Sequence, residues 1–363
     1  PRPRPVAGPP AAPPLVDAAR GAPAWVLGMR RSGFLLEDRI FTMYYEDGFS
    51  RVAVLEDASL RQLHVPFEHF GHSLGTCGDQ VFTTAGGGSK PMAVVRIDVD
   101  TEAVKVVKES LQIELDPALI SLPEAVEFET TGGAVAHAFY YPPRNPDFIA
   151  PDGEKPPLIV FSHGGPTAAT SPELDLNYQF WTSRGFALID VNYRGSTGYG
   201  REYRNALRGE WGIADLDDCV SAALHLADDG HIDPERMAIC GGSAGGYTTL
   251  CALAFTDVFA AGASYFGVGD LAALATDTHK FESRYLDSMI GPYPEAADVY
   301  EERSPLHNVD GFSCPVILLQ GLDDRVVPPP QAEEIVAALD AMGIPHAYVA
   351  FEGEGHGFRK AEN

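Results

Sequence analysis

Two patterns of apolar and polar positions divide the chain. Over residues 25–108, short runs of aromatic and β-branched residues are broken by turn residues. Arg39-Ile40-Phe41-Thr42-Met43-Tyr44-Tyr45 stops at Glu46-Asp47-Gly48, and Arg51-Val52-Ala53-Val54-Leu55 follows. Gln80-Val81-Phe82-Thr83-Thr84 stops at Gly86-Gly87-Gly88, and Ala93-Val94-Val95-Arg96-Ile97-Asp98 ends at an acidic turn. Strands spaced by roughly 8–12 residues with turns between them predict an all-β sandwich, a barrel or propeller blades. Residues 1–14 are rich in Pro and Ala and read as a loop or tail, and the prolines near residues 113–123 predict a linker.

From about Ala125 the pattern changes. Phe128 and the run Ala134–Tyr141 predict a hairpin through Gly132-Gly133. Pro157-Leu158-Ile159-Val160-Phe161 and Phe186-Ala187-Leu188-Ile189-Asp190-Val191 are nearly continuous apolar runs, as strands buried on both faces should be. Residues 237–240, 260–265, 315–320 and 347–351 predict further strands. Residues 215–227 form an amphipathic helix with Leu216, Val220, Ala223 and Leu224 on one face. Residues 244–254 predict a second helix, and residues 330–342 a third with Ala332, Ile335, Val336 and Leu339 in register. Alternating strands and helices call for a mostly parallel sheet covered by helices, an α/β architecture.

Composition removes some function classes. Apolar residues make up 45% and charged residues 21%, enough to bury a large core. The formal net charge of −25 argues against nucleic acid or an anionic membrane surface as a partner. No apolar stretch is long enough to suggest a membrane span; the longest candidate, residues 250–266, contains Asp257 and reads as a core helix followed by a strand. Five scattered cysteines without a C-x-x-C pair predict free thiols in a reducing, cytoplasmic compartment rather than a disulfide framework or zinc site. The chain opens on Pro1 and stops soon after a candidate catalytic loop, so both ends read as cut from a longer protein.

The sharpest chemical signal is Gly241-Gly242-Ser243-Ala244-Gly245-Gly246, a G-x-S-x-G motif between a predicted strand and a predicted helix. Glycines permit the tight turn that lifts a serine hydroxyl above a sheet edge, with a helix N-terminus aimed at developing negative charge. A hydroxyl needs a base, and His356 lies in a glycine-rich loop after the last predicted strand. The base needs an acid to fix its tautomer, and Asp323 and Asp324 follow a buried strand. The order serine, acid, histidine is that of the α/β-hydrolase fold. The oxyanion would be held by two backbone amides: that of Ala244, and that of Gly165 in the turn His163-Gly164-Gly165-Pro166.

That turn, Asn192-Tyr193-Arg194-Gly195-Ser196-Thr197-Gly198-Tyr199-Gly200, the elbow through Tyr247, the stretch from Gly321 to Pro328, and Gly355-His356-Gly357-Phe358 together resemble the prolyl oligopeptidase family of serine peptidases. Within it they are most similar to bacterial acylaminoacyl-peptidase and dipeptidyl-aminopeptidase-like enzymes. The resemblance is strong from about Pro117 to Asn363 and loose before it. It implies an α/β-hydrolase fold over residues 125–363, preceded by a 113–124 linker and by a partial β-propeller remnant over residues 1–112. It selects Asp324 as the acid through the spacing from Gly321 and to Pro328. It implies an apolar substrate pocket, for which Tyr265, Phe266 and Phe281 are candidates, with Tyr247 and Val327 nearby.

The expected activity is hydrolysis of short peptides through an acyl-enzyme, without a metal or organic cofactor. A carboxylesterase or lipase would use the same elbow and triad. A non-enzymatic binding protein on a hydrolase scaffold is disfavoured, because all three triad members are present. Exo- or endopeptidase action and homo-oligomerisation are left open by the residues alone.

Overall fold

The computed structural model describes residues 28–363, apart from 58, 278, 279 and 281. The chain divides into two compact units, Pro1–Ile113 with Ser171–Leu174, and Glu114–Thr170 with Asp175–Asn363.

The first unit contains two four-stranded antiparallel sheets, each a simple meander. One consists of β1 (Ser32–Phe34), β2 (Ile40–Glu46), β3 (Phe49–Glu56) and β4 (Ser59–Gln62); the other of β5 (His69–Cys77), β6 (Gln80–Gly87), β7 (Lys90–Asp98) and β8 (Val104–Glu109). Four-stranded meanders of this kind are the blades of a propeller. The expected turn Asp47-Gly48 joins β2 to β3 with φ of 50° and 78°, the left-handed pair that matches strand twist in a tight hairpin. Inward positions Phe41, Val52, Val54, Phe70, Val81 and Val95 form the core. Gly86 and Gly87, expected to end their strand, instead lie within β6. A Cβ on Gly86 would come 2.7 Å from Met92 Sδ, so the glycine serves close packing rather than the turn.

The second unit is built on an eight-stranded sheet. Its strands are β9 (Glu124–Glu129), β10 (Val135–Tyr141), β11 (Leu158–Ser162), β12 (Ala187–Asn192), β13 (Met237–Gly242), β14 (Ala261–Tyr265), β15 (Val316–Gly321) and β16 (His346–Phe351). Their order is β16-β15-β14-β13-β11-β12-β10-β9. β9 and β10 are antiparallel and the other six strands run parallel. This is the α/β-hydrolase sheet. Every residue of β12 is buried, which explains its continuous apolar run.

The helices are α1 (Leu176–Thr182), α2 (Gly200–Asn205), α3 (Ala214–Asp228), α4 (Ala244–Phe255), α5 (Leu271–Asp277), α6 (Leu286–Met289), α7 (Ala297–Arg303) and α8 (Pro330–Met342). In α3 the buried stripe runs through Leu216, Cys219, Ala222, Ala223 and Leu226. Leu224, expected on that face, is exposed because it lies on the flank of the stripe. α4 is buried on all sides up to Ala254, so it has no polar face to display.

Of residues 113–124, expected as a linker, those from Glu114 onward belong to the second unit. Asp116 caps a short 3₁₀ turn at Pro117–Leu119, and the backbone N–H of buried Ser121 donates to Gln179 Oε1 at 2.8 Å.

Candidate active site

The elbow follows from the sheet. β13 ends at Gly242, and α4 starts one residue after Ser243. Ser243 takes φ 57° and ψ −119°, a strained conformation for a residue with a side chain. The crossing is tight enough that a Cβ on Gly245 would overlap the Ser162 carbonyl oxygen of neighbouring β11. The Ser243 N–H donates to Tyr265 O at 2.9 Å, tying the elbow to the end of β14.

His356 is presented by the loop after β16. Its Nδ1 lies 2.7 Å from Asp324 Oδ2. The Asp324 side chain is fully buried. Its other oxygen accepts from the backbone N–H groups of Val326 and Val327 at 2.8 and 3.0 Å. These two bonds fix the carboxylate, and the carboxylate fixes an Nδ1–H tautomer, which leaves Nε2 as the basic atom. Asp323, the other candidate acid, is exposed on the outside of the same turn. The loop itself is folded around Glu354, a residue that sequence reasoning passed over. Its carboxylate accepts from the N–H groups of Arg359 and Lys360 at 2.9 and 2.8 Å and from Asn363 Nδ2 at 2.8 Å. Those bonds, that of the Lys360 N–H first, hold its carboxyl below the usual range.

Ser243, Ala244 and Gly165 line one cavity of about 40 Å³. The candidate nucleophile and both residues expected to supply oxyanion amides therefore line the same cavity. The turn carrying Gly165 is braced from behind. His163 Nδ1 lies 2.7 Å from Gly164 O, its Nε2 lies 2.7 Å from Ser196 Oγ, and its ring stacks on Tyr193 at 4.2 Å. Burial pushes His163 down to about 4, so the ring is neutral at neutral pH. The Ser196 hydroxyl in turn donates its single proton to Tyr193 O at 2.7 Å, so the ring, the hydroxyl and the Tyr193 carbonyl form one chain of contacts behind the turn. The Asn192–Gly200 motif thus supports the turn, and its Arg194 pairs with the buried Asp218 at 2.8 Å.

The remaining cavity wall is mostly apolar: Trp211, Val268, Leu274, Leu286, Val326 and Val327, with Tyr285 and Glu282. Of the expected pocket residues, Val327 lies there. Tyr247 does not: it is wholly buried, donates its hydroxyl to Arg303 O at 3.0 Å, and reaches the cavity only through Trp211, 4.7 Å away ring to ring. Phe266 packs on the His356 imidazole at 4.7 Å and on Phe358 at 5.4 Å, and Tyr265 is partly exposed beside Phe358. Phe266 flanks the histidine and Tyr265 flanks Phe358, and neither lines the cavity. Phe281 lies outside the described residues. Val268 and Leu274 come from the segment after β14 in which the aromatics were sought, Val268 from the loop and Leu274 from α5.

Comparison with known proteins agrees with this arrangement. The family model described as "Prolyl oligopeptidase family" matches residues 172–363, more than half of the chain. A solved puromycin-hydrolyzing peptidase of Mycobacterium tuberculosis is similar at 46% identity and a TM-score of 0.93, over 96% of this chain and 53% of that one. A solved puromycin hydrolase gives 40% identity and a TM-score of 0.91 over the same shares. Dipeptidyl aminopeptidase BIII of Pseudoxanthomonas mexicana is 37% identical over 57% of this chain and 31% of its own length. The chain spans about half the length of these solved relatives.

Proposed function

The chain belongs to the prolyl oligopeptidase family, and on that premise we propose that it is the catalytic part of a serine peptidase that hydrolyses short peptides and related amides. The observation that carries the proposal is the 2.7 Å contact between His356 Nδ1 and Asp324 Oδ2, in a unit whose elbow presents Ser243 beside Gly165 and Ala244.

Ser243 Oγ attacks the scissile carbonyl carbon while His356 Nε2 takes its proton. Asp324 keeps the imidazole in the right tautomer and stabilises the imidazolium. The oxyanion is held by the amides of Gly165 and Ala244, at the N-terminus of α4, where the helix dipole also favours negative charge. The imidazolium then returns the proton to the leaving amine. The acyl-enzyme that remains is cleaved by water along the same route in reverse.

Relatives named as a dipeptidyl aminopeptidase and as puromycin hydrolases support amide rather than ester substrates, of aminopeptidase, dipeptidyl-peptidase or acylaminoacyl-peptidase type. Five free cysteines, three of them buried, favour a reducing, cytoplasmic location. Among the described residues no helix is long and apolar enough to cross a membrane.

Turnover of aminoacyl and dipeptidyl anilides and of puromycin, compared with acyl nitrophenyl esters, tests the proposal in the full-length protein. Anilide or puromycin hydrolysis that is abolished by Ser243→Ala is the expected result. Efficient ester cleavage with no amide cleavage would instead assign a carboxylesterase.

A further inference from the structure

We propose that a groove at the end of the large sheet opposite the elbow binds an organic anion, a carboxylate, phosphate or sulfonate head on a hydrocarbon body, through Arg144 and Arg184. Its occupancy does not depend on the peptidase reading above.

The groove belongs wholly to the second unit. Its wall includes residues 155–157, 183–185 and 236, which precede the neighbouring parallel strands β11, β12 and β13. The oxyanion turn follows β11 and the elbow follows β13, so the groove lies at the other end of the same strands. It holds about 1030 Å³, against about 40 Å³ beside Ser243. Pockets for small organic ligands run from roughly 300 to 1,000 Å³.

Charge points to the ligand's sign. The chain has 51 acidic and 26 basic residues, yet four basic and two acidic residues line the groove. Arg236 is neutralised by Asp233 at 2.6 Å and by Glu154 at 3.5 Å. Arg144, Arg184 and Lys155 make no ion pair among the described residues, and Asp147 is the acid that remains in the lining. In so acidic a chain, cations gathered on one wall without carboxylate partners leave a local positive field for an anion from outside.

Geometry supplies the grip. The Arg144 N–H donates to Thr182 O at 3.0 Å and Asn145 Nδ2 to Ser183 O at 2.8 Å, so the segments that carry the two arginines are clipped together. Arg144 Nε donates to Ala118 O at 3.0 Å. Arg184 Nη1 donates to Phe180 O at 2.9 Å, and its guanidinium lies 3.7 Å from the Phe180 ring centroid. Each guanidinium is thus anchored by its stem side and keeps further N–H groups in the planar fork that suits carboxylate, phosphate or sulfonate oxygens. Phe148 and Ile149, 79% and 97% exposed, line the same groove and offer a hydrocarbon body a surface that a bare inorganic ion would not use. A second copy fits poorly, because a two-fold axis would set these arginines against their own counterparts.

The test uses the full-length protein and two fluorescent probes with the same aromatic body, anionic 8-anilinonaphthalene-1-sulfonate and uncharged N-phenyl-1-naphthylamine. Variants are Arg144→Gln with Arg184→Gln, Arg144→Lys with Arg184→Lys, and Arg96→Gln as an exposed cation elsewhere. Cooperative thermal unfolding reports that each is folded. The anionic probe is expected to bind wild type and Arg96→Gln alike, at least about tenfold tighter than the double Gln variant, the scale of a lost hydrogen bond to a charged group. The double Lys variant should lie between them, and decanoate should displace the probe where inorganic phosphate at the same concentration does not. Equal binding of the anionic probe to wild type and the folded double Gln variant, or no binding at all, would overturn the proposal. So would equal affinity for the uncharged probe, or displacement by inorganic phosphate alone. Sedimentation that shows a dimer dissociated by the double Gln variant would overturn it too, by assigning the groove to a second copy.

Discussion

Phe266 has a backbone φ of +40°, a region that costs a residue with a side chain roughly 1–3 kcal/mol. Its N–H donates to Leu319 O at 2.7 Å, and its ring packs between His356 and Phe358. The strained backbone places the ring against the imidazole, with centroids 4.7 Å apart and planes tilted by 58°. Phe266 is therefore a positioning residue that limits rotation of His356 once a proton has moved. Phe266→Leu is expected to lower kcat on anilides by about ten- to a hundredfold, the scale of a small misplacement of a catalytic group, with KM little changed. Phe266→Tyr should keep most of the activity. A Leu variant with wild-type kcat would mean that Asp324 alone orients the ring. The elbow and the His356–Asp324 pair could be read in the sequence because each combines a chemical necessity with glycines that suit a tight turn. The cavity was not. Its lining is gathered from Gly165, Trp211, Val268 and Val327, far apart in the chain, and large aromatics drew attention that belonged to smaller residues such as Val268 and Leu274.

At the scale of elements, legibility follows burial. β11 and β12 are covered on both faces, so their apolar runs could be read directly. α8 shows its stripe for the same reason that most surface helices do: one face is buried and the other wet. The short helices α1, α2 and α5–α7 span one or two turns each, too few for a 3.6-residue period to emerge. Residues 113–124 looked like a linker because prolines and polar residues dominate, yet Ser121 and Gln179 bond to each other through buried backbone and side-chain atoms. Gly86 and Gly87 show the opposite failure: a glycine run that suggested a turn accommodates Met92 and Glu68 inside the strand region. The ion pair between Asp218 and Arg194 was equally hidden. Arg194 was visible in a motif, but its buried partner lies on α3, and removing one member of such a pair costs roughly 3–5 kcal/mol.

For the whole molecule, stability against pH carries the signature of the second unit's buried titratable groups. Burial pushes His163 down to about 4, so below its ordinary value near 6.5 the unfolded chain binds a proton that the folded one refuses. That contribution is fully present above about 6.5 and is lost as pH falls toward 4. Asp190 and Asp215 are raised by burial to about 6, so the folded state takes their protons first and their contribution runs the other way as pH falls. Comparing wild type with His163→Gln isolates the histidine. Urea unfolding followed by tryptophan fluorescence should show wild type losing stability relative to the variant by up to about 1.4 kcal/mol per unit as pH falls from 6.5 to 4.5. A difference independent of pH would mean that His163 titrates normally in the folded protein.

The central claim is that Ser243, His356 and Asp324 form one hydrolytic machine. It is tested most directly by reacting the full-length protein with a fluorophosphonate probe and mapping the adduct by peptide mass spectrometry. The account predicts a single adduct on Ser243, none in Ser243→Ala, and labelling slowed by orders of magnitude in His356→Ala and Asp324→Asn. An adduct on another residue in the active protein, or labelling that proceeds at the same rate without His356, would contradict it.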